Sequence, residues 1–205
     1  ATLKKELLLA GAVLAALVVV GIPFVVLQEV WWSSAMSVAS LGSLVAVTAF
    51  ISSDRRAAMI IVVAYAVAST IAVALSGTAV AAALFIALCA GLAAYSSRWG
   101  YASAALLLAI MIPYNIHKPP LPLPDGNHGL LYYLAILVVA ILAGFWALAL
   151  LSFALRRRKA KPVPLAPVPA PDALLGAVLI AVVSGAVALV ALIWFPTTMW
   201  VWLLL

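Results

Sequence analysis

Side chains able to bind or move a ligand are scarce in this chain, and their positions narrow the chemistry open to it. The carboxylates Glu6, Glu29, Asp54, Asp125 and Asp172 all fall between apolar stretches or at their ends. A carboxylate inside lipid is costly and is kept for a proton relay or an ion site, and none of the five is placed for that. Glu29, just ahead of Trp31 and Trp32, comes nearest, either as an interfacial cap on the following helix or as the polar end of a pathway. Ser33, Ser37, Ser40 and Thr48 follow it. At 100° per residue they project onto one helical face about 80° wide, with Leu44 among them. Hydroxyls on a helix in lipid must find bonding partners. The row is therefore either a close-packing face bonded to neighbouring backbone or one wall of a polar pathway.

The remaining polar groups offer less. His117, Asp125 and His128 share one loop, but their spacing matches no compact zinc pattern and a fourth ligand is missing, so no metal site is expected. The single cysteine, Cys89, lies within an apolar run and reads as a small packing residue, with no disulfide framework or thiolate site. A Ser-His-Asp set, a nucleophile elbow, a phosphate-binding glycine loop and a metalloprotease helix are all missing. No catalytic residue, no enzyme activity and no cofactor are expected. An enzyme acting on a lipid-linked substrate would have only His117, Asp125 and His128 to work with.

The elements that must position these residues are transmembrane helices. Of 205 residues, 69% are hydrophobic and 8% charged, where a soluble domain carries about 25% charge; mean hydropathy is +1.32. A helix needs roughly 20 apolar residues to cross the hydrocarbon core. Apolar runs predict an all-α, polytopic bundle of about eight spans, near 6–27, 31–52, 57–75, 79–96, 100–113, 129–155, 173–194 and from 197 onward. The first is too long, and followed by too many others, to be a signal peptide. The fifth stops at Pro113 and is short, which suggests a tilt, a kink or partial re-entry. The eighth is about nine residues long, too short to cross; the expectation is a fragment of a longer protein or an end covered by a partner.

Basic residues support this count. Lys4, Lys5, Arg55, Arg56, Arg98, Arg156, Arg157, Arg158, Lys159 and Lys161 all fall on one side of the predicted spans, and only Lys118 falls opposite, so ten of eleven share one face. Positive residues mark the cytoplasmic side, which places the N-terminus in the cytoplasm and the protein in the cell membrane. The net charge of +6 then reads as a topology signal, with anionic lipid at Arg156, Arg157, Arg158, Lys159 and Lys161, and no nucleic-acid partner is expected.

The chain divides into a six-span bundle over 1–155, a basic, proline- and alanine-rich cytoplasmic linker over 156–172, and a seventh span with the start of an eighth over 173–205. LAGAVLAALV from Leu9 echoes LLGAVLIAVV from Leu174, as a second repeat would. Alanines and glycine recur every four residues at Ala64, Ala68 and Ala72, and at Ala83, Ala87 and Gly91. These are close-packing faces, and the short turn at Ser76, Gly77 and Thr78 predicts that the third and fourth spans pack along them. Trp31, Trp32, Tyr132, Tyr133, Trp194, Trp200 and Trp202 read as belt residues at the headgroup level; the outer tryptophans could also gate a flat aromatic ligand.

Glu-Val-Trp-Trp at Glu29 to Trp32, the Arg55 and Arg56 pair, the Ser-Gly-Thr turn at Ser76 and Trp-Phe-Pro at Trp194 give the chain a form that resembles the membrane part of the fusaric acid resistance family of aromatic acid exporters. The resemblance covers nearly all of this chain and about the first half of a typical member. It implies export of small amphiphilic or aromatic organic acids driven by an ion gradient, and it assigns no substrate-binding residue. The competing expectation is a non-catalytic accessory subunit of a larger membrane complex, or a homo-oligomer, to which the uncharged spans and small-residue faces are suited.

Overall fold

A computed structural model describes residues 11, 18–19, 21–124, 126, 129–154 and 166–195. Among these the chain is helical, with no strand. The helices are α1 (Gly21–Val30), α2 (Ala35–Ser52), α3 (Arg55–Leu75), α4 (Ala79–Tyr95), α5 (Ala102–His117), α6 (Leu130–Ala154) and α7 (Ala170–Trp194), with a 3-10 turn at Ser96–Trp99. In lipid a helix satisfies its backbone internally, which is why such apolar runs take this form. Five are long and apolar enough to cross a membrane: α2, α3, α4 taken with its 3-10 turn, α6 and α7. The described part of α1, and α5, are shorter apolar helices.

Local chemistry sets the boundaries. The Asp54 carboxylate accepts from the Ala57 N–H at 2.7 Å and so caps α3. Gly100 adopts φ 76°, and its N–H closes the 3-10 turn on Ser96 and Ser97; that left-handed conformation suits glycine. Pro169 precedes α7, Pro171 and Asp172 lie in its first turn, and proline there loses no helical hydrogen bond.

Cross-contacts give the helix directions. Tyr101 reaches Asp54, and Asn115 reaches Tyr65 and Ser69, so α3 and α5 run parallel. Trp32 packs on Tyr132 and Gly42 on Ala140, so α2 and α6 run parallel too. Arg55, Arg56 and Arg98 therefore share one end of the bundle, here the arginine end. The segment 118–124, here the strap, which begins with Lys118, sits at the other.

Small residues form the interior. Ala35, Ala46, Ala49, Ala58, Ala66, Ala140, Ala143 and Ala147 are fully buried, and they let backbones approach closely, which in lipid is the main source of helix association. A methyl group on Gly42 would lie 2.9 Å from the Ala140 carbonyl oxygen, and one on Gly144 would overlap Val62. Thus α2 and α3 pack against α6, and α5 packs against α2, α3 and α4.

Several predicted details change. The first helix runs to Val30 and takes in Gln28 and Glu29, while residues 31–34 form the connection, so α2 begins at Ala35 and Ser33 lies in a turn. The fifth helix passes Pro113 and ends at His117. Proline removes one helical hydrogen bond, but Ile112, Pro113, Asn115 and Ile116 are buried and hold the last turn in place. The face of α4 bearing Ala83, Ala87 and Gly91 packs chiefly on α7 and only marginally on α3. Gly91 meets Ala177 and Ala181, and Gly185 meets Ala87, whereas Ala64 of α3 is exposed. A short turn fixes which helices are neighbours in sequence, but close approach goes to the pair whose glycines face each other.

Candidate functional site

The polar residues separate into an outward row, a clamp on the strap and a buried cluster. Ser33, Ser37 and Ser40 are exposed and Thr48 is half-buried, so the predicted row faces away from the bundle interior. Its hydroxyls bond to their own chain: Ser37 donates to the Ser34 carbonyl at 2.8 Å, Ser40 to Ser37 at 2.8 Å and Thr48 to Leu44 at 3.0 Å. Glu29 is exposed at the end of α1. It does not cap α2, whose N-cap position is Ser34.

Trp31 and Trp32 part company. Trp31 is 44% exposed, while Trp32 is completely buried. The Trp32 indole N–H donates to the Leu121 carbonyl at 2.8 Å, and the Leu121 N–H donates to the Ser34 hydroxyl at 2.8 Å. Tyr132 donates to the Pro120 carbonyl, and its ring meets Trp32 edge-on at 6.2 Å. Prolines keep the strap extended and remove its donors, so its backbone polar groups are met by side chains of α6 and of the turn that precedes α2. Leu123 is buried below them.

A crevice of about 500 Å³ opens beside this clamp. Its walls are Trp31, Leu123 and Pro124 on the strap side, and Leu131, Leu134, Ala135 and Val138 of α6. Stacking on the indole and apolar contact are what such walls supply.

Deeper between α3 and α5, the Asn115 amide donates to the Ser69 hydroxyl at 2.8 Å and to the Tyr65 oxygen at 3.2 Å, all three buried. Polar side chains inside a membrane helix interface must satisfy one another. The sequence reading missed this cluster because ending the fifth span at Pro113 put Asn115 in a loop. An asparagine in an apolar stretch that continues to Ile116 was the available signal. Ser34 and Ser43 were likewise missed. Both are buried, Ser34 at the N-cap of α2 and Ser43 on its inward side, where it reaches the Ala143 carbonyl at 3.5 Å.

Among the described residues no three of His, Cys, Asp and Glu come together. Asp125, His128, Lys4, Lys5, the basic residues Arg156, Arg157, Arg158, Lys159 and Lys161, and the eighth span with Trp200 and Trp202 lie outside the described residues. Set against protein-family models, curated proteins and solved structures, the chain matches none.

Proposed function

We propose that this protein is a multi-pass carrier of the cell membrane that exports small amphiphilic or aromatic organic acids, with its N-terminus and arginine end cytoplasmic. The observation that supports this best is the crevice at the strap end. Its volume of about 500 Å³ falls among small-molecule sites, roughly 300–1,000 Å³, which combine apolar walls with few polar groups. Trp31 offers a face for an aromatic ring, and the strap carries the exposed cation Lys118 for a carboxylate. Ser33, Ser37, Ser40 and Thr48 continue from the Trp31 turn down the outward face of α2 and provide a polar track toward the arginine end. The likeness to the fusaric acid resistance family points the same way. In this reading Arg55, Arg56 and Arg98 draw the anion to the cytoplasmic end by their field.

Purified protein in nanodiscs, titrated with a fluorescence-quenching aromatic carboxylate, should bind it saturably. Trp31→Leu should weaken binding about two- to ten-fold, the order of 0.5–1.5 kcal/mol given by aromatic stacking. Unchanged affinity in that variant rejects the crevice as the site. In proteoliposomes, Ser37→Phe or Ser40→Phe should stop efflux at normal expression, and surviving efflux removes the hydroxyl track.

A second reading is supported by the same outward row. Serines that bond to their own backbone leave a low, polar surface suited to another helix, so α2 would be the docking face of an accessory subunit in a homo-oligomer or larger complex. Under this reading Ser37→Phe lowers the detergent-resistant assembly mass, and Trp31→Leu leaves that mass unchanged.

A further inference from the structure

At the arginine end, two features lie apart from the strap crevice. One is a narrower crevice of about 230 Å³ between α4, α5 and α7. Its lining runs from Ala94 and Ala102, where α4 ends and α5 begins, to Ile86, Ala109 and Ser184. From Ala94 to Ile86 it descends about 12 Å at the helical rise. It arises because α5 and α7 both lean on α4. The glycine contacts that draw α7 onto α4 leave a wedge on the α5 side.

The other feature is Arg98, in the 3-10 turn that joins the lining residues Ala94 of α4 and Ala102 of α5. Its guanidinium donates to the Tyr95 hydroxyl at 2.9 Å and lies 5.7 Å from the Trp99 ring centre. Tyr95 and Trp99 meet edge-on at 5.4 Å. An exposed arginine is therefore held in place by an aromatic pair, with further N–H donors of its fork available. The Val168 N–H bonds to the Ser97 carbonyl at 3.1 Å and seats the entry to α7 beside the same turn. Arg55 and Arg56 are exposed at this end, while the nearby Asp54 carboxylate is engaged by Ala57 and Tyr101.

We propose that α4, the 3-10 turn, α5 and α7 form a binding site for one anionic phospholipid, with an acyl chain in the crevice and the headgroup phosphate on Arg98. The crevice is smaller than a drug-sized site, and its mostly apolar walls, about 12 Å along α4, receive the headgroup-proximal part of a hydrocarbon chain. Trp99, half-exposed, marks the headgroup level at this end. Charge complementarity selects the headgroup: among the described residues at this end Arg55, Arg56 and Arg98 outnumber Asp54 and the exposed Asp172 of the first turn of α7, so a lipid with net negative charge is favoured over one whose own cation would meet them.

The test is native mass spectrometry of the full chain in neutral detergent with phosphatidylglycerol or phosphatidylcholine, paired with thermal unfolding. Phosphatidylglycerol should remain bound at detergent-stripping energies that remove phosphatidylcholine, and should raise the unfolding temperature by several degrees more. Arg98→Gln should reduce its retention about five-fold, as expected for one surface cation, and Ala94→Leu should reduce it by narrowing the crevice. Should Ala94→Leu not fold, glycerol phosphate tests the chain's part, since a headgroup without chains should produce no shift. Equal retention of the two lipids, wild-type retention by Arg98→Gln, or an equal shift with glycerol phosphate would each overturn the proposal.

Discussion

The Trp32 indole N–H and the Ser34 hydroxyl meet the two backbone groups of a single residue, Leu121, so the strap is fixed at one point by paired bonds. Removing one donor while keeping the ring isolates that effect. Trp32→Phe should cost about 1 kcal/mol, the net worth of a hydrogen bond, and should speed amide exchange across the strap while leaving α3 and α6 protected. Exchange confined to its wild-type rate in the strap would show that Leu123 burial holds it instead. Asn115→Leu tests the buried cluster in the same way. Coupling between Asn115 and Ser69 in a double-mutant cycle should be about 0.6 kcal/mol and below about 1.7, the range found for hydrogen bonds between membrane helices. Side chains were the least legible level of the sequence. Trp31 and Trp32 are adjacent and identical in type, yet one is exposed and the other buried, because the turn before α2 rotates them to opposite sides. Composition carries no trace of that rotation. Ser43 differs from Ser37 and Ser40 only in helical phase, and in lipid both faces of α2 are apolar, so no amphipathic contrast identifies the inward one.

At the scale of elements, helix ends were legible wherever charge or glycine interrupts the apolar run, as at Asp54 and Gly100. They were misread where the interruption is proline, because Pro113 is buried and its neighbours pack well enough to carry α5 onward. Partner choice was less accessible. Alanine and glycine at four-residue spacing announce a close contact but not its recipient, and Gly185, on a helix almost a hundred residues away, decides that α4 serves α7. This predicts a difference between two glycine variants. Gly42→Leu strikes the Ala140 backbone in the α2–α6 interface and should destabilise the whole bundle by about 1–3 kcal/mol, the usual cost of overpacking. Gly185→Leu should release α7 alone, seen as protease cleavage within 170–194 while the α2, α3 and α6 unfolding transition stays in place. Loss of that transition in Gly185→Leu would mean that α7 belongs to the same cooperative unit.

For the molecule as a whole, charge placement was the clearest message of the sequence, since Arg55, Arg56 and Arg98 gather at one end and Lys118 stands at the other. The proposed export route, with Trp31 at one end and Arg55, Arg56 and Arg98 at the other, requires these ends to lie on opposite sides of the bilayer. That in turn requires α5, at 16 residues and about 24 Å, to complete a crossing. Its parallel run beside α3, from Tyr101 near Asp54 to Asn115 near Ser69, is the contact pattern such a crossing needs. The direct measurement is substituted-cysteine labelling in sealed, oriented vesicles. Cys89, the one native cysteine, is replaced by alanine, and single cysteines are placed at Arg56 and Lys118. An impermeant maleimide should label Lys118→Cys only from outside and Arg56→Cys only from the cytoplasmic side. Labelling of both from the same side would make α5 re-entrant and would contradict the account.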